Sequence, residues 1–354
     1  MFSKIIKNIT LTCRTINIKQ IRLYSLEITE NVANTFKPPE ICDTKLLKVA
    51  IIGCPNAGKS TFINNLMDRK VCATSSKVHT TRNKSLAIFT VGDSQIVFVD
   101  TPGLVNDREK KKFNLEKSFT KDSKSSLSDA DIIGVIHDVA NAYTREILDI
   151  KVIRLLELHK TKPSFLVLNK VDVLKSKRKL LDITRVLTEN SLDGKTIPGK
   201  FKKIETENKG WPLFKEIFMV SSLTGSGIPE VRDYLIKNAK PNKWMFPEET
   251  WTNETPENLV LKAVQATLLN FLPQEIPYTL KPELELFEQN NLTGDIICSV
   301  VVKCPSQRIA KLVAGASDGK LKQITETVQH DLQLAFQNFV RIHIVMNSEE
   351  KEKT

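Results

Sequence analysis

Several features that mark other protein classes are missing from this sequence. The six cysteines form no C-x-x-C pair, which disfavours a zinc site or a disulfide framework and predicts reduced thiols. No apolar run approaches the ~18 residues that span a bilayer, so we expect no transmembrane segment. Acidic residues are absent before Glu27, which sets the N-terminal region apart from the rest of the chain.

The acid-free N-terminal region is typical of a targeting segment. Its apolar residues interleave with the bases Lys4, Lys7, Arg14, Lys19 and Arg22. This amphipathic composition predicts a mitochondrial presequence over residues 1–26, a linker over 27–44 and a location in the mitochondrial matrix. The alternative is a disordered basic arm. A secretory signal is disfavoured because no continuous apolar core of ~7–15 residues is present.

Composition places the remainder among globular proteins and points to a polyanionic partner. A chain of 354 residues with 41% hydrophobic and 26% charged residues predicts two or three soluble domains. The net charge of +11 favours binding to nucleic acid or acidic lipid. The plainer interpretation is a targeting peptide together with solvated lysines.

Short apolar runs alternate with helical patterns from residue 45 to 240. The predicted strands are Leu47–Ile52, Ser85–Val91, Gln95–Val99, Asp131–His137, Phe165–Leu168 and Ile217–Val220. The predicted helices lie at 61–67 and near 144–159, 176–190 and 228–239. Such alternation predicts an α/β domain with a mostly parallel sheet, helices on both faces, and ligands at the carboxyl ends of the strands.

A second domain is predicted after an ordered linker over 241–254, where two prolines and several aromatic residues interrupt the alternation. A helix is predicted to begin at Thr255-Pro256-Glu257 and to end near Phe271. Strands over Tyr278–Phe287 and Asp295–Lys303, helices near 306–314 and 320–337, and a strand over Phe339–Met346 follow. The order α-β-β-α-α-β predicts an α+β domain over 255–347, with a frayed tail over 348–354.

The most informative motif is Gly53-Cys54-Pro55-Asn56-Ala57-Gly58-Lys59-Ser60. It fits the phosphate-binding pattern G-x-x-x-x-G-K-S, lies directly after an apolar strand and precedes a helical pattern. Glycines let the backbone wrap a phosphate, Lys59 can reach the outer phosphates, and the Ser60 hydroxyl can ligate Mg²⁺. The candidate phosphate-binding residues are Gly53, Asn56, Ala57, Gly58, Lys59, Ser60 and Thr61.

Two further segments supply candidate metal and γ-phosphate contacts. Asp100-Thr101-Pro102-Gly103 follows a strand, so Asp100 can hold Mg²⁺ through water and the Gly103 N–H can sense the γ-phosphate. Thr80-Thr81-Arg82 lies where a switch loop belongs. We favour Thr81 over Thr80 as the threonine that completes the Mg²⁺ shell. Plain loop residues are the alternative.

Base recognition is predicted at Asn169-Lys170-Val171-Asp172, which also follows a strand. The Asp172 carboxylate can accept hydrogen bonds from the ring N–H and the exocyclic amine of guanine, whereas adenine would leave this charge unpaired. Asn169 can tie this loop to the phosphate loop, and the Lys170 stem can cover the base. Ser221, Ser222 and Leu223, after the last strand, would contact the base through their backbone.

These five elements, in this order, resemble the Era/TrmE/EngA group of GTPases. With His79-Thr80-Thr81-Arg82 and the second domain added, the chain resembles the Era family in its mitochondrial form over about residues 45–346. The resemblance implies a P-loop GTPase domain followed by a type II KH domain, with GTP or GDP and Mg²⁺ bound. Two roles stay open for Asn56, which either helps to hold a K⁺ ion near the phosphates or orders the loop.

Hydrolysis is expected to be slow because Leu104 follows Gly103, where Ras-like enzymes place a water-orienting glutamine. A leucine side chain has no hydrogen-bonding group with which to orient water. We therefore expect less than ~1 turnover per second without an activator.

The resemblance also implies an RNA-binding loop of the GxxG type between two helices. The corresponding residues are Gly315-Ala316-Ser317-Asp318, so an acid occupies the second glycine position, and Gly319 is the substitute if the loop is shifted by one. Residues 255–354 carry ten basic and twelve acidic residues, but bases surround the loop. The candidate RNA contacts are Lys303, Arg308, Lys311, Gly315, Lys320 and Lys322, and a solvated helix face is the alternative.

The resemblance implies one function above the others. The protein is expected to be a GTP-hydrolysing switch that binds small-subunit mitochondrial ribosomal RNA and assists assembly of the small ribosomal subunit. Two alternatives stay open: a signalling GTPase in peripheral contact with the inner mitochondrial membrane, and an RNA-binding module with negligible turnover.

Overall fold

The computed structural model describes residues 43–74, 85–100, 127–174, 176–197, 210–273, 275–290 and 292–348, without the side chains of residues 100 and 177. The predicted presequence and all but the last two residues of the predicted linker over 27–44 lie outside these ranges. The described residues from Thr44 onward form one compact unit.

A twisted sheet forms the centre of the N-terminal half. The strands of this half are β1 (Lys45–Ile52), β2 (Ser85–Val91), β3 (Ser94–Asp100), β4 (Ile132–Asp138), β5 (Ser164–Asn169), β6 (Ser191–Leu192), β7 (Lys195–Thr196), β8 (Phe214–Val220) and β9 (Lys240–Pro241). The sheet order is β2-β3-β1-β4-β5-β8, β9 pairs with β1, and β6 and β7 form a separate hairpin. The pairs from β3 to β8 are parallel, whereas β2 and β9 are antiparallel to their neighbours.

Helices cover both faces of this sheet, as predicted. They are α1 (Lys59–Met67), α2 (Ile150–Leu158), α3 (Lys177–Leu187) and α4 (Ile228–Lys237). Along β1, Val49 and Ile51 pack into the cluster that contains residues of α1 and α4, while Ala50 and Ile52 pack into the cluster that contains residues of α2 and α3. A parallel strand buried on both faces needs a continuous apolar run, and β1 has one.

The predicted strands agree with the structure to within a few residues, but one predicted helix begins late. The pattern predicted a helix from about residue 144, whereas α2 begins at Ile150. Asp149 is its N-cap and accepts a hydrogen bond from Lys151 N at 2.8 Å. The preceding residues form turns, in which the Asn141 side chain accepts from Tyr143 N at 3.0 Å. Side chains that compete with helical hydrogen bonding therefore set this start.

The C-terminal half has the predicted α+β order, with one additional short helix. Its elements are α5 (Pro256–Phe271), α6 (Ile276–Thr279), β10 (Lys281–Gln289), β11 (Ile296–Cys304), α7 (Gln307–Ala314), α8 (Gly319–Phe336) and β12 (Val340–Ser348). Strand β11 pairs antiparallel with β10 and parallel with β12, a topology consistent with a KH fold. The Thr255 side chain caps α5 by accepting from Asn258 N, as the sequence predicted.

The first predicted strand of this domain was wrong at its start and in its pattern. Tyr278 lies in α6, not in a strand, because its N–H bonds to Glu275 O within a helical turn. In the sequence, Leu284 and Leu286 alternate with Glu283 and Glu285, a pattern that predicts a shared buried face for the two leucines. The ladder shifts register between them, Leu286 is 43% exposed, and Phe287 packs against the core instead. A β-bulge reverses the facing of later side chains. At the other end of the domain, β12 continues to Ser348, the first residue of the predicted tail.

Residues 241–254 are ordered along the N-terminal sheet. The Gln95 side chain, which is fully buried, accepts from Met245 N at 2.9 Å and from Phe246 N at 3.1 Å and donates to Phe246 O at 2.9 Å. Further along, Ile88 N donates to Trp251 O at 2.9 Å, and Ala87 forms an antiparallel bridge with Thr252. The connection thus pairs with the edge strand β2 for part of its length.

The C-terminal ends of α1 and α8 meet, and we call this contact the α1–α8 junction. It consists of Asp68, Arg69, Lys70, Trp251, Asp331 and Gln337. The two helix caps, Asp68 and Gln337, are both left-handed, and Gln337 Nε2 donates to Asp68 O at 3.4 Å. Arg69 donates to the Gln337 side chain and stacks 4.8 Å above the Trp251 ring, and Lys70 pairs with Asp331. Positive side chains here oppose the partial negative charge of two helix ends.

Among the helices that the structure describes, none combines the length and the apolar character needed to cross a bilayer.

Candidate nucleotide-binding site

The phosphate loop connects β1 to α1, and its glycines are required by close approaches. A side-chain carbon on Gly53 would lie 2.4 Å from Ile136 O, and one on Gly58 would lie 2.3 Å from Asn169 Nδ2. Gly58 also has φ of 94° and occupies the N-cap of α1, where it brings no side-chain oxygen to the first turn of the helix. A helix N-terminus with an uncapped first turn is suited to an anion.

Lys59 and its neighbours line this loop. The Lys59 side chain is buried, and its ammonium donates to Gly53 O at 3.2 Å and Cys54 O at 2.9 Å. The amine is therefore folded over the loop that the sequence predicts to hold phosphate. Ala57 is buried, Ser60 and Thr61 are half-buried in the first turn of α1, and Asn56 is exposed with φ of 59°.

Two of the three predicted metal ligands lie in described elements that adjoin β1 or the loop after it. Ser60 lies in the first turn of α1, and Asp100 is the last residue of β3, in register with Ile51 of β1. Hydroxyl and carboxylate oxygens suit Mg²⁺. Thr81, its alternative Thr80, Gly103 and Leu104 lie outside the described residues.

A single buried side chain joins the predicted base loop to two others. Asn169, at the end of β5, donates from Nδ2 to Ala57 O of the phosphate loop at 2.8 Å. Its Oδ1 accepts from Ser222 N at 3.0 Å and from Lys170 N at 2.8 Å. Each polar atom of the amide is thus used, and the sequence hypothesis that Asn169 links these loops matches this geometry.

The remaining predicted base contacts surround Asn169. Asp172 is exposed in a short 3₁₀ turn over Val171–Val173. Ser221 and Ser222 are buried, and Ser222 O accepts from Asn65 Nδ2 of α1 at 2.6 Å. Leu223 is 82% exposed, so its side chain is available to cover a planar ligand.

Sequence reasoning missed one residue of this site, Asp138. The Lys170 ammonium donates to Asn56 O at 2.9 Å and to Asp138 Oδ2 at 2.6 Å. Asp138 ends β4 and is in register with Asn169 of β5. An acid at the end of a buried strand, beside the strand that carries the base motif, was the available signal.

A separate cavity of about 420 Å³ adjoins the phosphate loop, and its lining includes neither Lys59 nor Asp172. The Cys54 thiol lies in its wall, 3.6 Å from Asp149 Oδ2. Burial, together with the negative charge of Asp149, raises the pKa of Cys54 to about 11, so the thiol stays protonated and weakly nucleophilic. Burial lowers the pKa of His137, whose Nε2 lies 2.9 Å from Arg145 O.

The C-terminal loop is not shifted by one residue, contrary to the substitute we considered. Gly319 is helical with φ of −61°, whereas Ser317 and Asp318 are left-handed with φ of 49° and 57°. Asp318 therefore holds the conformation that a glycine adopts without strain. Gly315 has φ of 78°, and a side-chain carbon there would lie 2.7 Å from Lys320 Cβ.

The predicted basic residues around this loop are distributed over three elements. Arg308 and Lys311 are exposed on α7, and Lys322 is exposed on α8. Lys320 is half-buried beside Gly315. Lys303, at the end of β11, pairs with Glu283 at 2.6 Å, so part of its charge is already compensated.

Comparison with known proteins agrees with this architecture. Residues 48–170 match the family model described as 50S ribosome-binding GTPase. The chain is 35% identical to the mitochondrial GTPase Era of Danio rerio and 33% identical to that of Salmo salar. These alignments cover 87% of this chain and 76% and 77% of the relatives.

A solved structure extends the agreement to the fold of both halves. The crystal structure of Era in complex with MgGDPNP and nucleotides 1506–1542 of 16S ribosomal RNA superposes with a TM-score of 0.68 at 22% identity. The superposition covers 86% of this chain and 94% of that chain. The two halves of this chain thus occur together in one known fold. The chain belongs to the Era family of GTPases, enzymes that hydrolyse GTP.

Proposed function

We propose that this protein is a GTP-driven switch that binds the ribosomal RNA of the small mitochondrial subunit and assists its assembly. The observation that carries the proposal is that one compact unit contains two sites. One is the candidate nucleotide site, whose loops Asn169 joins, and the other is the Gly315–Asp318 loop of the C-terminal domain. The superposed Era structure contains both a GTP analogue and 16S ribosomal RNA, which supports assigning both ligands to this chain.

At the phosphate end, the proposed roles of Lys59 and Ser60 are supported by their positions, and those of Thr81, Asp100 and Gly103 by the sequence motifs. The N–H groups of the loop and the Lys59 ammonium would hold the β- and γ-phosphates, with Lys59 exchanging its carbonyl partners for phosphate oxygens. Mg²⁺ would be held by Ser60, by Thr81 and, through water, by Asp100. Bound Mg²⁺ would neutralise the charge that develops on the phosphate oxygens. The Gly103 N–H would donate a hydrogen bond to the γ-phosphate. Loss of this phosphate on hydrolysis would release the segments around Thr81 and Gly103.

At the base end, Asp172 would select guanine. Its exposed carboxylate can accept two hydrogen bonds that adenine does not offer. Lys170 and Leu223 would cover the faces of the base, while the backbone near Ser221 and Ser222 would contact its edge. Asn56 has two candidate roles, holding a K⁺ ion near the phosphates and ordering the loop. Its exposed position is compatible with both.

On the RNA side, the backbone of the Gly315–Asp318 loop would approach the phosphates of a single strand. Arg308, Lys311 and Lys322 are exposed around it, so counterion release would supply much of the affinity. Asp318 opposes this attraction, and we therefore assign weaker binding to this loop than to one with glycine at that position.

Coupling between the two sites would run through the α1–α8 junction. Residues 68–70 of the junction lie a few positions before residues 75–84, which contain the predicted switch threonines. The junction also includes Asp331 and Gln337 at the C-terminal end of α8. A change in this segment on GTP binding would therefore act on contacts to the RNA domain. The mitochondrial names of the relatives support a mitochondrial location, and we propose the matrix.

The test is cross-linking of RNA to the protein in intact mitochondria, followed by sequencing, with GTP hydrolysis measured in parallel. We expect small-subunit ribosomal RNA among the cross-links, and phosphate release slower than ~1 per second that increases with K⁺ if Asn56 holds this ion. Absence of ribosomal RNA, together with flotation on cardiolipin vesicles, would replace the proposal with the membrane-associated alternative. RNA cross-links without measurable phosphate release would indicate a binding module instead.

A further inference from the structure

We propose that Asp138 is a positioning residue for the bound nucleotide, because it holds the Lys170 ammonium at the point where the base loop and the phosphate loop meet. This inference rests on the proposed role of Lys170 at the base and adds a residue that no motif in the sequence identified.

The position of Asp138 is fixed by the sheet. It is the last residue of β4, in register with Asn169, and Val139 N donates to Asn169 O at 3.1 Å. Its Oδ1 accepts from Ala140 N at 2.8 Å, which leaves Oδ2 directed to the Lys170 ammonium at 2.6 Å. The carboxylate is therefore oriented by the backbone before it meets the lysine, and its side chain is only 22% exposed.

The Lys170 ammonium is held on two sides. Its backbone is left-handed, with φ of 66°. From there the side chain reaches both Asp138 Oδ2 and Asn56 O. Asn56 belongs to the phosphate loop, so the ammonium connects the two loops that contact opposite ends of a nucleotide. Without the carboxylate, one carbonyl oxygen would remain to order a side chain with high rotamer entropy.

This connection is separate from the one made by Asn169. The Asn169 amide bonds to Ala57 O, whereas the Lys170 ammonium bonds to Asn56 O, the neighbouring carbonyl. The base loop is thus fastened to two successive carbonyls of the phosphate loop. A ligand that binds across both loops gains from having them held in register before it arrives.

The experiment measures release of a fluorescent GDP analogue from the full chain by stopped flow. The variants are Asp138→Ala, Asp138→Asn, Lys170→Met and the double variant Asp138→Ala/Lys170→Met. We expect Asp138→Ala to speed release about tenfold, as for loss of a charge-assisted hydrogen bond. Asp138→Asn, which keeps an acceptor, should release at least threefold more slowly than Asp138→Ala. The double variant should match Lys170→Met, because the two residues act as a unit.

Asp193→Ala is the control, since it removes another acid–lysine pair, which joins the β6–β7 hairpin to Lys215 of β8. Its release rate should stay within twofold of the wild type. Thermal unfolding of the nucleotide-free proteins checks that each variant is folded.

The outcomes separate this inference from the proposed function. Unchanged release in Lys170→Met would overturn the role of Lys170 itself and, with it, the proposal for Asp138. Faster release in Lys170→Met but not in Asp138→Ala would overturn only the role of Asp138. Additive effects in the double variant, or equal release from Asp138→Asn and Asp138→Ala, would also overturn the positioning role.

Discussion

The phosphate loop and the Gly315–Asp318 loop are both predicted to bring their backbone close to phosphate groups, but their residues suit this role to different degrees. In the phosphate loop, the residues with positive φ are two glycines and the uncharged Asn56, and two successive carbonyls accept from Asn169 and Lys170. In the C-terminal loop, Gly315 takes one positive φ, but Ser317 and Asp318 take the next two. The first loop therefore carries no acid and suits an anion, whereas the second has a left-handed backbone that favours glycine but carries an acid there.

The largest expected effect concerns nucleotide binding and removes the proposed guanine contact of Asp172. Asp172→Asn should weaken GTP binding at least ~100-fold, because two charge-assisted hydrogen bonds to guanine are lost. Binding of xanthosine nucleotides should rise, since the new amide can donate to their extra carbonyl oxygen. Calorimetric titration with GTP, GDP and XDP measures both changes.

Asp233→Asn on α4 makes the same chemical change at an exposed position of another element and should leave both affinities unchanged. Retention of GTP affinity within threefold in Asp172→Asn would contradict the assignment of Asp172 to the base.

The next effect concerns the one glycine that the C-terminal loop does retain. Gly315→Ala should lower the free energy of unfolding of this domain by ~1–3 kcal/mol, because its φ is positive and the new methyl group meets Lys320. Gly319→Ala is the matched control. Gly319 is helical with open space around it, so alanine should stabilise the helix by up to ~1 kcal/mol. Urea unfolding followed by circular dichroism compares the two, and equal shifts would refute the described loop geometry.

A smaller effect sharpens the comparison by making the second loop more like the first. Asp318→Gly should raise the affinity for single-stranded RNA about three- to tenfold, since a negative charge beside phosphate is removed. Ser317→Gly relieves a similar left-handed backbone without changing charge and should leave affinity within twofold. Filter binding at two salt concentrations tests both. Equal gains in the two variants would mean that strain, not charge, limits the loop.

The smallest expected effect is a pH dependence of the free energy of unfolding that arises from His137. Burial lowers the pKa of His137 below its ordinary value of 6.5, so the folded protein favours the neutral ring. As pH falls below ~6.5, the unfolded chain binds a proton that the folded chain resists, and stability is lost. His137→Gln should reduce this loss, by less than about 1 kcal/mol between pH 6.5 and 5.5. Denaturant unfolding at several pH values measures it, with exposed His343→Gln as control. An identical pH profile in wild type and His137→Gln would argue against a buried neutral ring.

Much of this comparison was predictable from sequence because motif residues follow strands. Parallel strands end at one edge of the sheet, so Gly53–Ser60, Asp100 and Asn169–Asp172 were expected to converge. The structure places the first and the last together through Asn169. The start of α2 was missed because a side-chain cap at Asp149, not hydrophobic periodicity, decides it.

Features that depend on register or on distant contacts were not predictable. Asp138 lies opposite Asn169 only because β4 and β5 pair in this register. The bulge that exposes Leu286 is one extra residue in β10, and alternation alone does not reveal it. The position of Gly319 in a helix, not in the loop, depends on where α8 begins.

Helix α8 is a rigid element that can act as a lever arm between two parts of the molecule. Its 18 residues span about 27 Å at 1.5 Å per residue, with the Gly315–Asp318 loop at one end and the junction with α1 at the other. A single uninterrupted helix transmits tilt without any chain of rearranging side chains between its ends. A small rotation where Lys70 meets Asp331 would therefore become a larger sideways displacement at the other end of the helix, beside Gly315.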